Sequence, residues 1–451
     1  MSKASRAHNA VLETGVVADL THDGEGVIRG VDIHEGPGAG KTVFIAGALP
    51  GERVSFRRRG FHKSHDEAEL VEVITASPDR VTPRCAHFGV CGGCALQHLD
   101  PAAQLAAKQK ELADNLERIG RVTPGTWLPP LLGPHWNYRR RARLSSRFVT
   151  KKGRSLVGFR EKQGKYVADV QRCEVLAEPV GPLVGMLGEL LTGMDGRESI
   201  PQIEVSLSDG ERVLVFRVLA PLGEPDLARL AAFERQHSLR VLLQPGGLDS
   251  VTPLTPGPLD LHYRLEAFDL KLDFRPTDFV QVNAAINQSM VARAIELLEV
   301  GASDRVLDLY CGLGNFTLPL ARKAAEVVGV EGEAGLIQRA RDNAAANGIG
   351  NAQFHVGDLS TAPDKTIAWM RGRYDLVLLD PPRVGAREVL SAVAHLAPRR
   401  VVYISCHTGS LARDLGVLTQ ELGFRLTAAG VLDMFPHTTH VESMAVLDRE
   451  S

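Results

Sequence analysis

The chain runs to 451 residues, 44% of them hydrophobic and 24% charged, with a formal net charge of −2. That length exceeds one ordinary domain and fits roughly two to four. Its apolar runs are short, as in "RVLVFRVLA" at 212–220, well under the roughly 20 residues of a membrane helix, and the N-terminus lacks a signal peptide's apolar stretch. A membrane partner is therefore not expected and a cytoplasmic location is. There the six cysteines act as ligands, nucleophiles or core residues rather than as disulfides.

Residues 8–76 alternate β-rich runs with glycine turns, as in "ETGVVADLTHDGEGVIRGVDI" and "KTVFIAGALPGERVSFRRR". Short strands at this spacing predict a small β-barrel. The "GPGAGKT" at 36–42 is not a phosphate-binding loop: the position five residues before Gly40 is Glu35, and no strand–loop–helix context frames it. A hairpin loop is expected there. Next come Cys85, Cys91 and Cys94 in "CAHFGVCGGC", with no fourth thiol nearby; three thiols cannot close a tetrahedral metal site. "DPAAQLAAKQKELADNLERIG" (100–120) predicts a helix, opened by Asp100 and Pro101 and stopped at Gly120. Residues 127–265 read as mostly β, with one apolar helix near 180–193.

Charge is unevenly spread. Arg139 to Lys165 holds eleven Lys or Arg and one acid, Glu161, with Tyr138, Phe148, Phe159 and Tyr166 in or beside it. Arg57, Arg58 and Arg59 form a second group ahead of Phe61, His62 and Lys63. Such runs are either solvated faces or surfaces for RNA, whose phosphates take the cations and whose unpaired bases stack on the rings.

From about 268 helix and strand alternate, which implies a parallel, doubly wound sheet with ligands at the carboxyl ends of its strands. In "DLYCGLGNF" (308–316), Gly312 and Gly314 permit a tight turn from strand to helix, and Glu331 ends the next strand, placed for ribose hydroxyls. A dinucleotide fingerprint needs a third glycine where Thr317 stands, so the loop suits a nucleoside without pyrophosphate, S-adenosylmethionine above all, unless it is only a turn between packed elements. "HVGD" brings Asp358 to another strand end. "LLDPPR" brings Asp380 between rigid prolines, and Arg383 stands where amino-directed methyltransferases carry an aromatic. "YISC" ends a strand on Cys406, a core residue or a nucleophile, and Glu442 follows in "MFPHTTHVESM". His437 and His440 have ligand-like spacing there without an evident third ligand.

Taken in order, "FVQVN" (279–283), "DLYCGLGNF", "LLDPPR", "YISC" and "HTTHVE" resemble the RNA uracil-C5 methyltransferases, and the likeness covers essentially the whole chain. "DGEGV" and "GALPGERV" resemble that family's TRAM domain, an OB-like RNA-binding module, and C-x5-C-x2-C resembles its iron–sulfur branch, which modifies 23S ribosomal RNA. The resemblance implies an α/β protein: a TRAM β-barrel at 8–76, a β-rich central region with the cysteine cluster at 77–265, and a Rossmann-like class I S-adenosylmethionine-dependent methyltransferase domain at 266–451. Helix 100–120 could pack on the last of these.

The resemblance also implies roles. Cys173 in "VQRCEV" would join Cys85, Cys91 and Cys94; spacing alone leaves zinc and a [4Fe–4S] cluster open, and the family implies the latter. Cys406 would add to C6 of uracil, C5 would take the methyl group, and Glu442 would remove the C5 proton. Gln281, Tyr310, Asn315, Glu331, Asp358 and Asp380 would contact the cofactor or shape its pocket, and Phe279 would pack on the flipped base. The expected partner is 23S rRNA, not DNA, with a monomer as default. Two other classes are opposed by these residues: an amino-methyltransferase, against which Arg383 and the Cys406–Glu442 pair stand, and a non-catalytic RNA-binding protein, against which the intact motifs stand.

Overall fold

The computed structural model describes residues 11–30, 33–35, 40–162 and 164–450; the core of the 36–42 glycine segment, and with it the expected hairpin loop, lies outside the described residues. Two compact units emerge: one from residues up to 108 with 161–164 and 436–439, the other from 109–160, 165–435 and 440 onward. Residues 77–108 of the expected central region thus fall in the first unit and most of the remainder in the second.

The first unit is built on strands β1 (Glu13–Val16), β2 (Asp19–Leu20), β3 (Glu25–Ile28), β4 (Ile33–Glu35), β5 (Thr42–Ala46), β6 (Arg53–Phe61) and β7 (His65–Thr75). They form one sheet in the order β2-β3-β5-β7-β6-β1-β4. Alternation drives it: in β5, Val43 and Ile45 turn inward, and they join Val17, Ile28, Val54 and Phe56 in one apolar core. Arg58, read from sequence as part of a basic surface group, is instead 1% exposed. Its guanidinium donates to Glu13 at 2.9 Å and to Asp66 at 2.6 Å, because the β6 pleat turns alternate residues inward and only paired acids make a buried cation tolerable. His437 belongs to this unit: its carbonyl accepts from Ala95 and Leu96 N–H, and its own N–H donates to Gln104 Oε1.

The second unit opens on helix α1 (Pro101–Asn115), which straddles the boundary and continues as one π-helical turn, Leu116–Gly120. Next come β8 (Thr126–Trp127), β9 (Arg141–Val149), β10 (Arg154–Gly158), helix α2 (Val180–Thr192), β11 (Gln202–Leu207), β12 (Arg212–Arg217), helix α3 (Glu224–His237), β13 (Arg240–Gln244) and β14 (Thr252–Pro253). Strands β9 to β14 make a sheet in the order β10-β9-β11-β12-β13-β14. Helix α3 is a correction, since 127–265 was expected to hold one helix. Its signals were present: Pro225 in the first turn, acids Glu224 and Asp226 at the start, Arg235 and His237 at the end. Its modest apolar stripe hid it. Part of the basic strip is neutralised here, as Arg140 pairs with Asp209 at 2.5 Å, Arg143 with Glu204 at 2.9 Å and Lys152 with Asp169 at 2.9 Å.

A hairpin of β15 (His262–Leu265) and β16 (Leu270–Asp273) leads into α4 (Ala284–Leu298), β17 (Arg305–Leu309), α5 (Thr317–Ala321), β18 (Glu326–Glu331), α6 (Ala334–Ala346), β19 (Ala352–Val356), β20 (Leu376–Leu379), α7 (Arg387–Leu396), β21 (Arg400–Ser405), α8 (Thr408–Gln420), β22 (Phe424–Leu432) and β23 (Glu442–Arg449). The sheet order is β19-β18-β17-β20-β21-β23-β22-β8, parallel from β19 to β21, with β23 antiparallel to β21. Its strands are continuous apolar runs such as "LVLL" in β20, as a sheet covered on both faces requires. Residues of the central sheet, Val213, Val215 and Leu242, share one core with Leu307's neighbours Val306 and Leu376. The π turn after α1 lies on α8, where Gly120 and Gly416 let the two backbones meet: a Cβ at Gly416 would stand 2.8 Å from the Gly120 carbonyl. Among the described residues no helix is long and apolar enough to cross a membrane.

Candidate active site

The order of the parallel strands reverses at β17, and the loops after β17 and β20 diverge there to leave a crevice at the carboxyl ends. A cavity of about 600 Å³ occupies it, lined by Gln281, Tyr310, Asn315, Glu331, Asp380, Cys406 and Glu442 among others. Of the expected residues facing cofactor or base, one stands apart. Asp358 is exposed, is not among the lining residues, and has its carboxylate engaged by the Ser360 N–H at 2.9 Å and hydroxyl at 2.6 Å.

At one end the chain turns sharply after β17. Tyr310 adopts φ +66 and Gly312 and Gly314 φ +55 and +100, conformations that glycine takes readily and tyrosine takes only under constraint. The constraint is visible: Tyr310 and Cys311 N–H both donate to the Val330 carbonyl, and the Tyr310 hydroxyl donates to Leu359 O at 3.3 Å. Glu331 holds its carboxylate by three backbone donors, Gly312 at 3.2 Å, Gly332 at 2.7 Å and Glu333 at 3.1 Å, leaving acceptor capacity for a diol. Asn315 accepts from the Tyr263 hydroxyl at 2.9 Å and exchanges amide hydrogen bonds with Asn287 at 3.0 Å. Sequence reasoning missed Tyr263, and no local signal marks it: its separation of 52 positions from Asn315 is bridged only by the fold.

The other end is where the chemistry gathers. Antiparallel pairing sets Ser405 of β21 opposite Ser443 of β23. One further step of that register carries Cys406 and Glu442 to the same place, although 36 residues separate them in sequence. Asp380 and Arg383 reach it from the end of β20. Burial, then the Glu442 and Asp380 charges, push the Cys406 thiol up to about 11, with Arg383 pulling it down. Burial pushes Glu442, 3% exposed, well above the usual carboxylate range, reinforced by Asp380 and opposed by Arg383. Asp380 borders the cavity, yet the surrounding protein pushes its carboxyl up to about 7. Two carboxyls and a thiol thus crowd Arg383. Arg383 also contacts the His440 ring at 3.3 Å, and Phe279, 73% exposed, stands at the cavity wall.

The thiols divide between units. Cys85, Cys91 and Cys94 sit in the first, on a turn held by Phe88 N–H to Cys85 O and Cys91 N–H to His87 O; Cys173 lies buried in the second. No disulfide forms among the described residues. Among the described residues, two clusters of His, Asp and Glu bring donor atoms within 4.8 Å of one another. In His62–His65–Glu67 the imidazoles stack at 4.5 Å and 18°, so their in-plane lone pairs run side by side instead of converging. In Asp260–His262–Asp273 the Lys271 ammonium already fills the cation position, 3.1 and 3.4 Å from the two carboxylates.

The family model described as tRNA (Uracil-5-)-methyltransferase matches residues 261–450. A Xanthomonas euvesicatoria pv. vesicatoria protein named 23S rRNA (uracil(1939)-C(5))-methyltransferase RlmD is 53% identical over 433 residues, 96% of each chain. A Stenotrophomonas maltophilia protein of the same name is 52% identical over 445 residues, 99% of each. The chain belongs to the RlmD family of uracil-C5 methyltransferases. Its fold also resembles that of Pyrococcus abyssi tRNA (uracil-54, C5)-methyltransferase, solved with S-adenosyl-L-homocysteine, at a TM-score of 0.70 and 24% identity, covering 96% of this chain and all of that one. In this RlmD-family chain the family match spans the cavity, from the β15–β16 hairpin to β23.

Proposed function

We propose that the protein transfers a methyl group from S-adenosylmethionine to C5 of one uridine in 23S ribosomal RNA. The observation that carries this is the convergence of Cys406, Glu442, Asp380 and Arg383 in one cavity with a glycine loop and a backbone-held Glu331. The names of the full-length relatives supply the substrate.

S-adenosylmethionine, when bound, supplies an electrophilic methyl on a positively charged sulfur. Glu331 fits its ribose diol, the Gly312–Gly314 turn admits it to the main chain, and Gln281, Tyr310 and Asn315 wall its pocket. Asp380 faces the reacting end, where a nearby positive charge favours its ionised form. Asp358, with its carboxylate held by Ser360, belongs at most to the outer edge of an adenine site.

Cys406 acts on the RNA. Its thiolate adds to C6, and the displaced electron pair makes C5 nucleophilic enough to accept the methyl group. Glu442 then takes the proton from C5, the C5–C6 double bond re-forms, and the sulfur leaves as thiolate. Arg383 is the group that favours ionisation of both residues, which burial and the neighbouring acids oppose. Phe279, exposed at the wall, is placed to pack on a base drawn out of its stack.

The test is methyl transfer from labelled cofactor to unmodified 23S rRNA. Cys406→Ala should abolish it. Glu442→Gln should lower it by about 10²–10⁴ and accumulate an RNA–protein adduct on denaturing gels. Full activity in Cys406→Ala would sink the reading.

We also infer a [4Fe–4S] cluster on Cys85, Cys91, Cys94 and Cys173. Support comes from an all-thiol donor set without a disulfide, a chemistry that zinc shares. Anaerobically purified protein should carry about four iron and four sulfide per chain. One zinc and no visible absorption would overturn it.

A further inference from the structure

Helix α8 begins two residues after Cys406, capped by His407, whose side chain accepts the Ser410 N–H. The same helix grips the segment that follows Asp380-Pro-Pro. Ser410 Oγ donates to Arg383 O at 2.8 Å, and Arg413 donates to Val384 O at 2.7 Å. Asp414 Oδ2 accepts both the Ala386 N–H and the Tyr403 hydroxyl at 2.7 Å, while Oδ1 takes Arg413 Nε at 2.8 Å. Asp414 and Tyr403 are completely buried. Between them Gly385 turns at φ +87, where a Cβ would collide with the Asp414 carboxylate. Two consecutive backbone positions, Arg383 and Val384, and the next but one, Ala386, are therefore tied to a single helix.

A buried carboxylate with three donors is costly to assemble and rigid once assembled. Asp414 is not among the residues that line the cavity. What it immobilises is the root of Arg383, the one cation among Cys406, Glu442 and Asp380. Because α8 also starts beside Cys406, nucleophile and cation are set by one rigid body.

We propose that Asp414 is a positioning residue: through Gly385 and Ala386 it fixes the Arg383 guanidinium at the spacing from Cys406 that lets this thiol ionise. The proposal rests on Cys406 being the nucleophile, but its test does not use methyl transfer.

The groups facing Cys406 are Glu442 from β23 and Asp380 and Arg383 from the end of β20. Moving Arg383 away leaves only acids and lowers the thiolate fraction. The measurement is alkylation of Cys406 in the purified full chain with its cluster, read by mass spectrometry of its peptide. Neutral iodoacetamide and anionic iodoacetate are compared at one pH. In Asp414→Asn the rate should fall about threefold to tenfold, the range of a half to one unit in thiol pKa. It should fall further for iodoacetate than for iodoacetamide, because the displaced Arg383 charge also attracts the anion. Arg383→Met should do the same, and the double variant should add nothing. Tyr403→Phe, which removes one donor and keeps the packing, should fall between.

An Asp414→Asn protein that alkylates like wild type while Arg383→Met is slowed would overturn the proposal. So would equal slowing by both reagents, which signals blocked access. Should Cys406→Ala retain methyl transfer, the functional reading fails, and the alkylation result still stands or falls by itself.

Discussion

Replacing Asp308 by asparagine should stabilise the protein near pH 8 and not near pH 4. The Asp308 carboxyl is completely buried at the end of β17, where one oxygen accepts the Thr317 hydroxyl at 2.5 Å and the other has no partner. Burial, reinforced by Asp380 and Glu331, pushes it up to about 8. An aspartate in the unfolded chain titrates near 3.9, so across that interval the folded protein holds a proton that the unfolded chain has released. Stability then falls as pH rises: it is complete below about 4 and declines until about 8. Four pKa units at about 1.4 kcal/mol each bound the loss at roughly 5–6 kcal/mol. Asparagine keeps the acceptor for Thr317 and cannot ionise, but it brings amide donors to a site without partners, at about 1–3 kcal/mol. The balance is a gain of about 2–4 kcal/mol near pH 8 and a small loss near pH 4. Urea unfolding of the ligand-free protein at both pH values measures it. Equal shifts of the midpoint at the two would refute the reasoning, because only ionisation distinguishes them.

Three further outcomes follow from the geometry. Arg58→Met should destabilise the first unit by about 3–5 kcal/mol in urea titrations, since Glu13 would be left buried without its cation and Asp66 would keep only Lys41; a loss under about 1 kcal/mol would mean water already solvates Glu13. Tyr263→Phe removes the hydroxyl that holds Asn315 and should weaken S-adenosylhomocysteine binding about threefold to tenfold by calorimetry, the worth of one hydrogen bond, whereas unchanged affinity would remove Asn315 from the cofactor wall. Gly416→Ala should lower the melting temperature, with a cost of about 1–3 kcal/mol, because the added methyl meets the Gly120 carbonyl at 2.8 Å; an unaltered melt would show that the π turn can move aside.

Local sequence determined the elements whose signals are local. Alternation in β5, the apolar runs of β17, β20 and β21, and the glycine turn at 312–314 are read directly, because period and backbone permissiveness reside in neighbouring residues. The placement of Glu331, Asp380 and Cys406 at strand ends follows from the same pattern, and a doubly wound sheet gathers strand ends in one crevice. Their grouping with Glu442 needed the resemblance, since nothing in "HTTHVE" says which strand it joins.

Tertiary structure alone decided three things. It turned Arg58 inward, against a reading based on charge, because the pleat offers Glu13 and Asp66 as partners from other strands. It recruited Tyr263 and Asn287 to hold Asn315, contacts that no spacing rule encodes. It also made α8 the common support of Cys406 and the Arg383 segment. Each depends on which side chains meet across long sequence separations, and those meetings are fixed by register and packing, not by composition. The residues proposed to react were legible in the chain; the fields that tune their protons were not, since burial and neighbouring charge exist only once the chain has folded.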